Sequence, residues 1–228
     1  MNLYVLVEGR RTEKKVYRAW MRFVFPLLTE VEKIEEVKAN HFFMLAGDGY
    51  PSYKRHILDS LKDISKHGAF DHFMICVDAE EDRVAVKLQE IQGIVAAGKS
   101  FPNCHVIVQN CCIETWFLGN QRMLRRQPER ERLRKFKEFY DVSKNDPEQM
   151  ACLADEYAFR AHFHLDYLQE MLRERGLSYT KPNPGCVTEK WYFDALAERN
   201  WSTGHLPTFG GLLELWQSWG GVVRKLRC

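Results

Sequence analysis

The chain has 228 residues, 45% hydrophobic and 13% aromatic, enough for one large domain or a domain with an appended subdomain. It has no apolar run of the roughly 18 residues that a membrane span needs, and, as it opens directly into a strand pattern, no secretory leader is expected. Seven cysteines with no C-x-x-C pair argue against a disulfide framework or a zinc knuckle, so a reduced cytoplasmic protein is expected; the net charge is only +2.

Leu3 to Val7 is an apolar run with poor alternation and reads as a buried strand, ending in Glu8-Gly9. Thr12-Glu13 opens an amphipathic helix through Val16, Tyr17, Trp20, Phe23 and Val24, stopped at Pro26. Val31 to Val37 and Phe42 to Ala46 read as further strands. The second closes in Gly47-Asp48-Gly49, a turn without the spacing of a nucleotide-binding fingerprint. A helix over 52–67 carries Ile57, Leu58, Leu61 and Ile64 on one face. A strand at 70–77 then runs into Asp78-Ala79-Glu80-Glu81-Asp82, followed by a helix near 82–97 and a strand over His105 to Val108. This alternation predicts an α/β sheet.

Cys111-Cys112 reads as a pair of buried small hydrophobes. Beyond it the chain is mostly helical and basic from Ile113 to Arg175, breaks at Tyr179 to Gly185, and regains helical patterns around 188–199 and 208–218. His162 and His164 are two apart, so a helix turns them away from each other and a metal pair there is not expected. Trp191, Trp201, Trp216 and Trp219 read as core or interface residues. With no strong linker, the expected organisation is an α/β core over 1–120 with a mainly helical extension over 121–228 packed on it.

Chemistry concentrates where two strands end in carboxylates, at Glu8 and at Asp78. Open α/β sheets place their sites at the carboxyl ends of strands, so the two ends are expected to share a rim. Two carboxylates about 5 Å apart at an effective dielectric near 20 repel by roughly 3 kcal/mol. A divalent cation relieves this, and an oxygen-only donor set suits Mg²⁺ or Mn²⁺ better than zinc. Structural roles compete: Glu8 and Asp78 as helix caps, Asp82 as a first-turn acid, Glu13 as a partner of the helix N-terminus. Arg122 to Lys137 holds eight basic residues against two acidic ones, a local +6 that leaves −4 for the rest of the chain. Arg122, Arg125, Arg126, Arg130, Arg134, Lys135 and Lys137 are therefore candidates for a polyanion, with a solvated helix or a docking face as the alternatives.

The string Leu6-Val7-Glu8-Gly9-Arg10-Arg11-Thr12-Glu13 resembles the first motif of the TOPRIM fold, and Val77-Asp78-Ala79-Glu80 stands where that family has Asp-x-Asp. Ile113-Glu114-Thr115-Trp116-Phe117-Leu118 resembles the Glu-x-Trp motif of small stand-alone TOPRIM-like proteins of bacterial defence loci, of the OLD and RloB kind. Tyr179-Thr180-Lys181 fits their Tyr-x-Lys. The resemblance implies a mostly parallel TOPRIM-like sheet flanked by helices, with the helical extension behind it in sequence. It implies a Mg²⁺ (or Mn²⁺) nuclease acting on DNA or tRNA with an ABC/AAA-type ATPase encoded nearby, without a membrane and with a homodimer open. Glu8, Asp78, Glu80 and Asp82 would hold metal. Glu8, Glu13, Glu114 and Lys181 would be catalytic, and Arg10 and Arg11 would reach phosphate. Glu80 departs from the family's second aspartate, which keeps open a degenerate site serving only to dock on the ATPase. Primase-like chemistry is weaker, because there is no zinc-binding cysteine array. No Walker motif is present, so any ATP-driven step belongs to another chain.

Overall fold

The computed structural model describes residues 1–47, 49 and 52–223. It falls into two compact units, Met1–Asp78 with Arg83–Val108, and Ala79–Asp82 with the chain from Gln109 onward. The second unit thus takes in 109–120, which the sequence pattern assigns to the α/β core. Among the described residues no helix is long and apolar enough to cross a membrane.

The first unit is built on a parallel sheet of β1 (Leu3–Val7), β2 (Thr29–Val31), β3 (His41–Ala46), β4 (His72–Asp78) and β5 (Cys104–Gln109), ordered β2-β3-β1-β4-β5. The last residue of β5, Gln109, groups with the second unit. β1 is central, and all five of its side chains are fully buried. A parallel strand covered on both faces needs an uninterrupted apolar run, which Leu3-Tyr4-Val5-Leu6-Val7 supplies. Register sets Val7 against Ala46 on one side and Cys76 on the other.

Three helices complete this unit: α1 (Glu13–Val24), α2 (Ser52–His67) and α3 (Val84–Ala97). α1 buries Val16, Tyr17, Trp20, Met21 and Val24, and Phe23 is only half-buried. The bounds of α2 are those its apolar face predicts. The expected strand over 31–37 is corrected. β2 stops at Val31, and Ile34–Glu36 forms a 3-10 turn. The cause is Glu36, whose Oε2 accepts from the backbone N–H of Glu32 at 3.1 Å and of Lys33 at 3.2 Å and closes the chain into a turn. Asp48, in the expected Gly47-Asp48-Gly49 turn, lies outside the described residues; Gly49 has φ +77.

The second unit carries α4 (Ile113–Phe117), α5 (Glu131–Phe139), α6 (Arg160–Arg173), α7 (Lys190–Thr203) and α8 (Pro207–Ser218). Its core is aromatic. Trp116 packs on Phe209, Phe117 on Tyr179 and Tyr192, and Phe136 on Phe163 and Tyr167. Trp216 is fully buried, while Trp191 is 45% exposed. Arg199 is buried as well, and burial draws its guanidinium down to about 10. It donates to the carbonyls of Gly119 at 2.9 Å and Asn145 at 2.7 Å, pinning two loops to α7.

Candidate functional site

In the first unit, β1 and β4 are adjacent and parallel, so both chains leave the sheet on the same side. Glu8 follows the last residue of β1, and its Oε2 accepts from the Asp78 backbone N–H at 3.0 Å. The two strand-end carboxylates therefore share a rim, and both are half-buried. Glu8 thereby caps the end of β4.

Glu13, the first residue of α1, folds back to the same rim. A Cβ built on Gly9 would overlap the Glu13 carboxyl group, so glycine leaves the space that Glu13 occupies. The electrostatics agree. Burial pushes the Cys76 thiol up to about 12, and the charges of Glu13 and Asp78 push in the same direction. Burial raises the Tyr53 phenol, and Cys76, Glu8 and Glu13 add to it. Glu8, Glu13 and Asp78 thus lie near one another at the ends of β1 and β4.

Tyr53, which sequence reasoning did not single out, braces these ends from α2. Its hydroxyl bridges the carbonyls of Leu6 at 3.0 Å and Cys76 at 2.8 Å, one from each strand. Gly47 makes room for the ring, since a Cβ there would lie 2.6 Å from Tyr53 Cδ2. Arg10 and Arg11 are exposed in the turn after β1.

The remaining predicted residues belong to the second unit. Its segment Ala79–Asp82 is a turn: Glu80 has φ +52, and the Asp82 N–H donates to the Ala79 carbonyl at 2.9 Å. Glu80, Glu81 and Asp82 are all exposed. The turn is anchored by its backbone and by Glu81. The Glu80 N–H donates to the Cys111 carbonyl at 2.8 Å, and Glu81 accepts from the Arg160 N–H at 2.7 Å and its Nε at 3.3 Å.

Glu114 is buried on α4 and accepts from the Tyr179 hydroxyl at 2.7 Å. This bond joins the Glu-x-Trp and Tyr-x-Lys motifs, which lie 65 residues apart. Lys181 is exposed at the tip of a tight turn whose base is the paired Thr180 and Asn183.

Most cations of the basic segment are paired with acids, all but one of which, Glu129, lie outside it. Arg122 pairs with Glu198, Arg125 with Glu129 and Glu174, Arg130 with Glu170, Arg132 with Asp166, Lys135 with Glu156 and Lys137 with Asp141. Arg134 donates to the carbonyls of Pro128 and Glu129. Among the described residues the exposed Arg126 side chain makes no ion pair. Acidic partners are scarce along the segment but not around it.

Among the described residues, a single group of three His, Cys, Asp or Glu ligand atoms lies within 4.8 Å, and it is Cys111, Cys112 and His164. The carboxylates of the rim form no such group. The Cys112 thiol, then His164 and the charge of Arg160, draw the Cys111 thiol down to about 5 against the opposing effect of burial. The doublet is visible in the sequence, but nothing there links it to His164. Compared with protein families, with curated proteins and with solved structures, the chain matches none.

Proposed function

We propose that the chain is a Mg²⁺-dependent nuclease whose site is centred on Glu8 and Asp78. The observation that carries this reading is the Glu8 carboxylate held on the Asp78 backbone, with Glu13 folded over Gly9 beside it. This is a set of hard oxygen donors at the carboxyl ends of adjacent parallel strands, where α/β folds keep their ligands. The donors fit Mg²⁺ or Mn²⁺ and are poor ligands for soft metals. A bound Mg²⁺ supplies an activated water and neutralises charge on the phosphate.

The protein's own part is orientation. The Asp78 N–H fixes Glu8, the gap at Gly9 admits Glu13, and Tyr53 locks the two strand ends together. Arg10 and Arg11 are placed in the following turn to meet phosphate oxygens. Roles for Glu80, Asp82, Glu114 and Lys181, a DNA or tRNA substrate, an ATPase partner and a part in defence rest on the resemblance alone.

A second reading, a catalytically inert module that docks on an ATPase, is favoured by one observation: the rim carboxylates are not gathered within 4.8 Å of one another. Cleavage of supercoiled plasmid and of total tRNA by the purified chain separates the two. The nuclease reading expects cutting with Mg²⁺ or Mn²⁺ that EDTA stops and Asp78→Ala or Glu8→Gln abolishes, with unchanged circular dichroism. No cutting in either metal, with or without the partner ATPase, sinks it.

A further inference from the structure

We propose that Cys111, Cys112 and His164 form a zinc-type metal site in the second unit, separate from the Mg²⁺ chemistry above. The two sulfurs and an imidazole nitrogen lie within 4.8 Å of one another, and all three residues are at most 2% exposed. Successive side chains of an extended chain point to opposite faces. Here Cys111 has φ +64, a left-handed conformation that a non-glycine residue adopts only under constraint, and the turn it makes puts both thiols on the side of His164. The cysteines are not joined in a disulfide.

The imidazole is set as a ligand would be. Its Nδ1 is bonded to Thr115 Oγ1 at 2.7 Å, and the same hydroxyl lies 3.7 Å from Cys112 Sγ. A metal-bound histidine is oriented in this way through its other ring nitrogen. The His164 Nε2 is buried and makes no hydrogen bond among the described residues. A buried polar atom left so is costly, and coordination of a metal through Nε2 would remove the cost.

Two thiolates and an imidazole select a soft or borderline cation, Zn²⁺ over Mg²⁺. Tetrahedral zinc holds such ligand atoms roughly 3.6–3.8 Å apart, so closing on the ion takes shifts of at most about an ångström between them. Three protein ligands leave the fourth position open.

The test is to strip the full chain of metal and titrate it with Co²⁺ alone as the spectroscopic probe, then with competing Zn²⁺. We expect about one equivalent bound, with sulfur-to-cobalt charge-transfer absorption and intense tetrahedral d–d bands. Zn²⁺ should displace both, and excess Mg²⁺ should displace neither. Cys111→Ser and Cys112→Ser should lose the charge-transfer band, and Cys104→Ser should keep it. Thr115→Val should weaken Co²⁺ binding about 10–100-fold with its fold intact by near-UV circular dichroism. Absence of the band in the unmodified chain, or its persistence in either serine variant, overturns the proposal. The titration of the unmodified chain decides the matter even where a serine variant does not fold. It reads no cleavage, so it stands or falls apart from the nuclease reading.

Discussion

A methyl group added at Gly9 would meet the Glu13 carboxyl group, whose far end can swing away. Gly9→Ala is therefore expected to cost little stability, about 1 kcal/mol or less, while displacing Glu13 from the rim. On the proposed nuclease reading, metal-dependent cutting should fall by at least about tenfold while the urea midpoint moves little, which is the signature of lost placement and not of lost folding. A melt shifted as far as the activity would remove Gly9 from the argument.

Glu148 gives a prediction of a different kind. It is 4% exposed and accepts from Thr208 Oγ1 at 2.7 Å and Thr208 N at 3.1 Å, at the first turn of α8. Burial pushes its carboxyl from 4.5 up to about 7, against the lowering effect of Thr208. Between those values the folded chain keeps a proton that the unfolded chain has released. The contribution of Glu148 to stability is thus full below pH 4.5, falls as pH rises to about 7, and is flat above. The loss is on the order of 3 kcal/mol. Urea unfolding at several pH values from 4.5 to 8 should show this slope in the unmodified chain and lack it in Glu148→Gln.

At the level of elements, the ion pairs of the basic segment decide how it can meet a polyanion. Eight open cations on one strip would give a slope of log K against log salt of about −7 for duplex DNA. Arg130 and Arg132 instead bind α5 to α6 through Glu170 and Asp166, and the others are mostly held as well. We expect a slope of about −1 to −3 by fluorescence anisotropy, reduced by about 1 in Arg126→Ala. A slope near −7 would mean that nucleic acid displaces these pairs. Elsewhere one acid redirects a segment: the Glu36 carboxylate, accepting two backbone N–H groups, makes a turn where a strand is expected.

On the scale of the molecule, the division into units falls after Val108 and sets Ala79–Asp82 apart from the sheet's unit. Residues 109–120 contain Trp116, Phe117 and Leu118, all fully buried among helices of the second unit. A fragment ending at 120 carries these side chains without Phe209, Tyr179 and Tyr192, their packing partners. It is expected to aggregate on size exclusion, because it exposes a contiguous apolar patch. A fragment ending at 108 should be more soluble, with helical and strand signals by circular dichroism. Equal behaviour of the two would argue against the boundary.

The alternation of strands and helices, the bounds of α2, the buried β1 and the two strand ends in Glu8 and Asp78 were all determined by the sequence alone. Each depends on a local pattern: which positions are apolar, with what period, and where the run stops. Packing alone decided which distant groups meet. Glu13 over Gly9, Tyr53 across two strand ends, Glu114 on Tyr179, His164 against Cys111 and Cys112, and the acids that neutralise the basic segment are of this kind. Periodicity encodes which face of an element is buried but carries no address for what it is buried against, so these meetings became readable only in three dimensions.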